Sequence, residues 1–300
     1  MRRPNEALFV RTYGVPGQVE PVQANIRYPE SVAVAVDGAD AVVNCVGILA
    51  EHGKQRFSAI HEAGAGAIAA AAKAAGAGRL VHVSALGADP DSDSRYFRTK
   101  GVGERVVGEE FGEAVIMRPS VIFGSEDMFF NRFAGMARRL PIVPIVGADT
   151  RFQPVYVDDV ARAVCLAVSD RTVSGICELG GPEILSFRDL VRKMLEVIRR
   201  RRLVLDLPGP IAGIVAFEFE MIQLLSGGLF VNNFLTRDQI RQLATDNLVG
   251  PEAQSLDRLG IEPTPMDAVL ESYLYRFRPA GQYTAIHESA RIMRPGEDAG

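Results

Sequence analysis

The chain has 300 residues, of which 47% are hydrophobic and 23% are charged, and its formal net charge is −4 at pH 7. This composition predicts one or two folded domains and excludes a disordered or fibrous chain. The slightly acidic balance argues against nucleic acid as a partner. No apolar run reaches the roughly 18 residues of a membrane-spanning helix, and the first residues lack the apolar core of a secretion signal.

The cysteines are few and widely separated. Cys45, Cys165 and Cys177 form no Cys-x-x-Cys motif. Spacing of this kind favours neither a disulfide framework nor a zinc site, so we expect no metal and a reducing, cytosolic compartment.

Short β-branched runs alternate with alanine-rich stretches through the first two-thirds of the chain. Buried parallel strands are predicted over residues 41–47, 79–84 and 113–119. Helices are predicted over residues 57–75, where alanine predominates, and 96–111. A further helix opens at Val157, with Asp158 and Asp159 placed to suit its dipole. Alternation at this spacing predicts right-handed βαβ units and a parallel sheet.

The pattern changes at Ser186. Ser186 and Asp189 resemble a capping box and predict a helix that runs into four arginines at residues 199–202. Thr236 and Gln239 predict the cap of another helix. The four arginines at residues 199–202 would suit anionic lipid headgroups. They also fit a solvated helix end, where positive charge favours the helix dipole.

Between these caps, residues 203–234 are apolar and low in charge. They fit a helical lobe that covers the open end of the sheet, or an apolar surface docked on a membrane or a membrane subunit. Residues 278–300 are polar and rich in proline and glycine, which predicts a poorly ordered or partner-bound tail. We therefore predict an α/β domain over residues 1–185, a C-terminal lobe over 186–277 and a tail over 278–300.

Tyr96 and Lys100 are the first candidate catalytic pair. At i and i+4 on a helix they share one face, where an ammonium lowers a phenol's pKa, holds a cofactor ribose and lets the tyrosine act as a general acid. Ser84, the third candidate, ends a predicted strand 12 residues earlier, and ligands bind at the carboxyl ends of parallel strands. Taken alone, Tyr-x-x-x-Lys also fits a surface aromatic beside a solvated lysine.

Several segments together resemble a known family. Tyr96 and Lys100, with residues 117–124 and 154–161, look like extended and atypical short-chain dehydrogenases. The match is narrower at residues 94–104 (SRYFRTKGVGE), 119–127 (PSVIFGSED), 236–239 (TRDQ) and 259–265 (LGIEPTP). These resemble the short-chain-dehydrogenase-like accessory subunit of respiratory complex I, NADH:ubiquinone oxidoreductase, over about residues 2–275. The resemblance implies a Rossmann-type doubly wound parallel sheet with a small, mostly helical C-terminal lobe.

The same resemblance implies a cofactor site. Arg2 would face the 2′-phosphate of NADP(H), which a guanidinium fork suits, so NADP(H) is expected rather than NAD(H); a solvated arginine is the equal alternative. The other implied cofactor-binding residues are Asn25 and Ile26 at the adenine, Asn44, Val46 and Gly47 at a strand end, Lys100 at the nicotinamide ribose, and Pro119 and Ser120 beside the nicotinamide. A plain turn also explains Gly47, and a purely structural strand end explains Pro119 and Ser120.

The resemblance implies a non-catalytic accessory or assembly role, peripheral at the cytoplasmic side of the inner membrane, with complex I subunits or the membrane surface as partners. The interval between Ser84 and Tyr96 is much shorter than in extended enzymes, which weakens Ser84 as a catalytic partner. Two alternatives stay open. One is an NAD(P)-dependent oxidoreductase or epimerase/dehydratase-like enzyme, linked to ubiquinone synthesis; the other is a protein that binds a sugar nucleotide or a quinone precursor.

A dinucleotide fold needs a glycine-rich turn between its first strand and first helix. Residues 14–17 contain a proline, and residues 64–66 and 101–103 lie inside predicted helices, so none qualifies. Arg2 and Arg3 match the end of a second strand. We expect the first strand, the glycine turn, the first helix and most of the second strand to be missing through a truncated gene model. Without the first strand, sheet edges would be exposed. If the protein does begin at Met1, we expect poor cofactor binding and marginal stability.

Overall fold

The computed structural model describes residues 2–225 and 236–283. Within them the strands are β1 (Ala41–Asn44), β2 (Arg79–Val83), β3 (Val115–Pro119), β4 (Ile122–Phe123), β5 (Ile142–Ile145), β6 (Arg151–Phe152), β7 (Val155–Tyr156), β8 (Ile176–Leu179), β9 (Leu185–Ser186) and β10 (Leu203–Asp206). The α-helices are α1 (Pro29–Val36), α2 (Ala63–Ala74), α3 (Arg95–Glu110), α4 (Phe130–Arg139), α5 (Val157–Ser169), α6 (Phe187–Val197), α7 (Gly209–Leu225), α8 (Arg237–Gln242) and α9 (Leu270–Leu274).

The central sheet has four parallel strands in the order β1-β2-β3-β8. All three strands predicted in the first 120 residues are present, each slightly shorter than predicted. Helices flank the sheet, and the Rossmann-type architecture predicted from the sequence is confirmed. Among the described residues β1 pairs only with β2, so its other edge is open. Arg2 and Arg3 belong to no strand, and a 3-10 helix, Pro4–Tyr13, follows them.

Helices α1, α2 and α3 cover one face of the sheet. Alanines make this layer thin: Ala65, Ala69 and Ala72 of α2 are buried against the sheet and α3. The helix predicted over residues 57–75 begins as a π-helix, Ser58–Glu62, and continues as α2. Helix α3 packs closely against this π-helix at Gly103, where an added Cβ would lie 2.0 Å from the carbonyl oxygen of His61.

Helix α5 covers the opposite face. Ala163 and Ala167 pack there with Cys177 of β8, all fully buried. Asp159, which the sequence suggests as a helix-dipole partner, has a further role because it is completely buried. Its carboxylate accepts the backbone N–H of Thr264 at 2.7 Å and pairs with Arg162, which ties the C-terminal segment to this face.

A second core lies beyond the sheet. It combines aromatic and aliphatic side chains from α4, β5, α6 and α9, among them Phe133, Phe187 and Leu274. Strand β9 pairs antiparallel with β6 at the boundary predicted between residues 185 and 186. The division at that boundary stays a prediction.

One part of the C-terminal lobe forms a strand where a helix was predicted. Residues 203–206, expected to start a helical segment, form β10, which pairs in parallel with β5 so that Leu203 lies opposite Ile142. A short apolar run does not distinguish strand from helix, and the partner strand lies far upstream. The last part of the predicted apolar segment, residues 226–235, lies outside the described residues. Most of the predicted tail, residues 284–300, lies outside them as well.

The predicted caps are found. Ser186 Oγ accepts the backbone N–H of Asp189 at 3.1 Å, and Thr236 with Gln239 forms a complete capping box. Helix α6 ends at Val197, before the four arginines. In the part of the chain described, no helix has both the length and the apolarity to cross a membrane.

Candidate functional site

Three parallel strands bring the predicted site residues to one edge of the sheet. Asn44 ends β1, Ser84 follows β2, and Ser120 follows β3. The N–H of Ser84 donates to Met117 at 2.7 Å and that of Ser120 to Leu179 at 2.9 Å, so both continue the sheet's hydrogen bonding. The carboxyl ends of these strands therefore form a common edge, where open α/β sheets bind ligands.

Lys100 reaches this edge from α3. It is only 5% exposed, and its Nζ donates to the carbonyl oxygen of Val83 at 3.2 Å. Burial lowers the pKa of Lys100 to about 8, although Glu104 acts in the opposite direction. A Cβ on Gly47 would lie 3.4 Å from the same Nζ, an ordinary contact. Lys100 thus faces the strand ends with an ammonium that keeps two of its three donors for a ligand.

Tyr96, one turn earlier on α3, lies in an aromatic environment. Its ring makes edge contacts with Phe57, His61 and Phe97, at centroid distances of 5.9, 5.5 and 5.5 Å. Burial raises the pKa of Tyr96 to about 12. The expected lowering of this pKa by Lys100 is therefore wrong, because desolvation of the phenolate is the dominant effect.

His61 was not identified from the sequence, yet it connects the parts of the site. Its Nε2 accepts the backbone N–H of Ile48 at 3.2 Å, so Nδ1 carries the proton and donates to Thr99 Oγ1 at 3.1 Å. Thr99 in turn donates to the carbonyl oxygen of Tyr96 at 3.1 Å. Burial and the charge of Lys100 lower the pKa of His61 to about 3. A lone histidine in an alanine-rich stretch carries no sequence signal for this role.

Near the carboxyl ends of the strands, two buried polar atoms have no partner among the described residues: His82 Nε2 and Ser84 Oγ. Asn44 Nδ2 donates to His82 Nδ1 at 2.9 Å, which fixes the free Nε2 as an N–H donor. Burial, followed by the charge of Lys100, lowers the pKa of His82 to about 3. Buried polar groups normally have partners. The unpartnered Ser84 hydroxyl, one residue after the Val83 carbonyl that binds Lys100, therefore fits a polar ligand such as a cofactor ribose.

Ser120 is already engaged by the C-terminal lobe. Its Oγ donates to Asn247 Oδ1 at 2.6 Å, and Asn247 Nδ2 donates to the carbonyl oxygen of Leu86 at 3.1 Å. Asn247 therefore holds the turn after β2 to the end of β3. No sequence pattern singles out Asn247, because it is distant from both strands along the chain. Pro119 is the last residue of β3.

The remaining cofactor candidates lie apart from this group or have local roles. Arg2 is exposed at the start of the described chain. The N–H of Asn25 donates to Ser31 Oγ at 3.0 Å, and the Ile26 side chain packs where a Cβ on Gly64 would lie 2.6 Å from it. Val46 is exposed beyond β1, and its N–H donates to Asn44 Oδ1 at 3.0 Å. Their contacts with a dinucleotide stay predictions.

Comparison with known proteins agrees with this geometry. A family model described as NAD(P)H-binding matches residues 2–122, so the chain contains a nicotinamide-dinucleotide-binding domain. In fold, the chain is similar to an NADPH-dependent quinone oxidoreductase of Escherichia coli complexed with NADPH. The TM-score is 0.66 and the identity 15%, covering 91% of this chain and 87% of that one.

Two curated relatives share much more of the sequence. Both are subunit 9 of the NADH dehydrogenase [ubiquinone] 1 alpha subcomplex, a mitochondrial protein. The Arabidopsis thaliana protein is 32% identical over 272 residues, covering 88% of this chain and 67% of the relative. The Mus musculus protein is 32% identical over 276 residues, covering 91% and 71%. With a Rossmann-type sheet, an NAD(P)H-binding domain and this identity along most of its length, the chain belongs to the family of NADH dehydrogenase [ubiquinone] 1 alpha subcomplex subunit 9.

Proposed function

We propose that this protein is an NADP(H)-binding, non-catalytic accessory or assembly component of respiratory complex I. The observation that carries the proposal is the 32% identity with the Arabidopsis subunit over 88% of the chain. In this proposal the protein lies at the cytoplasmic side of the inner membrane, held there by complex I subunits or by the membrane surface. A nucleotide-binding domain over residues 1–185 binds the cofactor, and residues 186–277 face the partner.

The chemistry of the site supports binding over turnover. A general acid is most effective when its pKa lies near the working pH, whereas burial raises that of Tyr96 to about 12. Its ring is surrounded by aromatic neighbours, and the Ser84 hydroxyl has no described partner to form a proton relay. Lys100, in contrast, is held with free donors at the sheet edge. A bound nicotinamide would supply hydride chemistry; Lys100 and Ser84 would hold its ribose.

The preference for NADP(H) over NAD(H) rests on Arg2, whose guanidinium is exposed and makes no hydrogen bond or ion pair with the described residues. A guanidinium fork binds a phosphate more strongly than it binds a hydroxyl. Titration of NADPH and NADH against the wild-type protein and Arg2→Gln tests this preference. We expect the substitution to weaken NADPH alone; equal losses for both cofactors would contradict the assignment.

The experiment that tests the partner is co-purification. The full chain, tagged at its C-terminus, is expressed in cells with complex I, and membranes are extracted in a mild detergent. We expect the tagged chain to migrate with NADH:ubiquinone oxidoreductase activity on native gels. A chain that leaves the membrane fraction at ordinary ionic strength and never migrates with complex I would overturn the proposal. Copurification with a sugar nucleotide or a quinone precursor instead would favour a small-molecule binding protein.

An enzyme remains the second candidate, an NAD(P)-dependent oxidoreductase or epimerase/dehydratase-like protein linked to ubiquinone synthesis. The favouring observation is that Lys100, one turn after Tyr96 on α3, donates to the carbonyl oxygen of Val83, which directly precedes the unpartnered Ser84. Steady NADPH oxidation with a quinone precursor, lost in Tyr96→Phe while NADPH binding is retained, would establish this candidate. Binding without oxidation across a panel of quinone and sugar-nucleotide substrates would favour the accessory role.

A further inference from the structure

An open cavity of about 880 Å³ lies on the C-terminal lobe, where α6 ends and β10 begins. Five arginines line it, Arg192 and those at residues 199–202, against a single glutamate, Glu196. We call it the arginine cavity. The chain as a whole has a formal charge of −4, so this concentration of positive charge is a local feature. It also lies outside residues 2–122, which match the NAD(P)H-binding family.

Backbone carbonyls, rather than carboxylates, hold two of these arginines. Arg200 Nε donates to the carbonyl oxygen of Phe277 at 2.7 Å, and Arg202 Nε to that of Ala137 at 2.8 Å. Within the described parts of the chain, neither they nor Arg201 forms an ion pair. Arg202 Nη1 also donates to the carbonyl oxygen of Arg201 at 3.0 Å. These backbone bonds orient both guanidinium groups and leave Nη2 of Arg202 and the two terminal nitrogens of Arg200 for a ligand.

The charges also act on each other. The pKa of Arg200 lies below its ordinary value because of burial and the charges of Arg202 and Arg138. Among the lining arginines, Arg192 pairs with Asp189 at 3.5 Å. Glu271, whose pKa the charge of Arg199 helps to lower, pairs with Arg278 at 2.6 Å. Converging like charges are unfavourable unless an anion offsets them.

The backbone gives an independent observation. Arg199 has a φ of 54°, and it is the one residue other than glycine with a positive φ in the described chain. It follows the end of α6, where the N–H of Arg200 donates to Leu195 at 3.0 Å in the pattern that favours glycine at this position. The left-handed conformation is strained for an L side chain. The chain thus has an arginine where glycine would be more stable, a kind of strain that is concentrated at functional sites.

We propose that the arginine cavity is a binding site for a phosphate or diphosphate group. Arginine presents rigid pairs of N–H donors that match phosphate oxygens, and a polyanion would relieve the repulsion among the lining charges. The group has two sources, a phospholipid headgroup or a small soluble phosphate. Exposed apolar side chains lie on the adjoining β5–β10 ribbon: Leu203 is 61% exposed, Leu205 43% and Ile142 40%.

The first experiment is calorimetric titration of inorganic pyrophosphate into the full chain in a chloride buffer. It compares the wild type with Arg199→Gly, Arg201→Gln and the control Arg105→Gln, an exposed arginine on α3. We expect the first two variants to bind at least about tenfold more weakly, because each removes a charge-assisted contact. The control binds normally. NADPH affinity stays unchanged in all four proteins.

Arg199→Gly also separates binding from folding. Glycine adopts a positive φ without strain, so we expect its thermal midpoint to equal or exceed that of the wild type while phosphate binding falls. Undiminished pyrophosphate binding in both cavity variants, or no binding to the wild type, would overturn the proposal.

The second experiment identifies the source. The same proteins are sedimented with phosphatidylcholine vesicles, with and without cardiolipin. Cosedimentation that requires cardiolipin and is lost in Arg199→Gly and Arg201→Gln supports a lipid headgroup. Arginine-dependent pyrophosphate binding without cosedimentation supports a soluble phosphate. Cosedimentation that is equal in all variants, without arginine-dependent pyrophosphate binding, counts against the cavity.

Discussion

The carboxylate of Asp238 accepts the backbone N–H of Tyr96 at 3.1 Å, although 142 residues separate them. The same carboxylate accepts the N–H of Arg95 at 2.6 Å and the hydroxyl of Ser94 at 3.1 Å. Helix α8 therefore supplies the acceptor for otherwise unsatisfied donors in the first turn of α3, where a negative charge also suits the helix dipole. Through this contact, the C-terminal lobe helps to position the helix that carries Tyr96 and Lys100.

Substitution of Asp238 is the first test of that coupling. In Asp238→Asn the charge is lost and the accepting geometry is disturbed, so we expect the free energy of unfolding to fall by about 1 kcal/mol. Affinity for NADPH should fall as well, because α3 loses its anchor. Urea unfolding and fluorescence titration measure the two effects. Asp257→Asn, an exposed aspartate, is the control, and unchanged NADPH affinity in a destabilised Asp238→Asn would show that the contact is only structural.

The lowered pKa of Lys100 predicts how the free energy of unfolding changes with pH in the alkaline range. Burial lowers its pKa in the folded protein to about 8, against an ordinary value of 10.5. Between these values the unfolded chain binds more protons, so the free energy of unfolding should rise as pH increases from about 8 to 10.5. Urea unfolding across this range measures the rise. Lys100→Met should flatten it, while Lys73→Met, an exposed lysine on α2, should keep it.

The two buried histidines predict how the free energy of unfolding changes at acidic pH. The pKa values of His61 and His82 are both about 3 in the folded protein, against 6.5 ordinarily. The unfolded chain therefore binds more protons between these values, and stability should decline as pH falls below about 6.5. Each of His61→Gln and His82→Gln should reduce the slope of the free energy of unfolding against pH in that range. His52→Gln, the control, should keep the wild-type slope; an unchanged slope in all three would contradict this account.

Two glycines of α3 should respond differently to the same substitution. A Cβ on Gly103 would lie 2.0 Å from the carbonyl oxygen of His61, whereas a Cβ on Gly108 would meet nothing within 4 Å. Gly103→Ala should therefore destabilise the protein by more than about 2 kcal/mol, since backbone must move. Gly108→Ala should stabilise it by up to about 1 kcal/mol through helix propensity. Thermal melts of the pair measure both changes, and similar midpoints would refute the close packing of α3 on the π-helix.

The sequence determined the elements whose signals are local. The alternation of apolar strands and alanine-rich helices predicted the parallel sheet, because buried strands and helices have distinct lengths and compositions. The spacing of Tyr96 and Lys100 placed both on one face of α3, and Ser84 was correctly placed at a strand end. The combined motifs by themselves also indicated the complex I subunit family, because each motif keeps its residue types and spacing along the chain.

Tertiary structure alone decided the chemistry of the site. The low pKa of Lys100 and the high pKa of Tyr96 depend on burial, which no local pattern specifies. The bonds of His61 to the loop after β1 and of Asp238 to α3 join residues distant in sequence. Strand β10 likewise exists because β5 provides its partner. Local periodicity determines which elements form; long-range packing determines which side chains meet and what charge they hold.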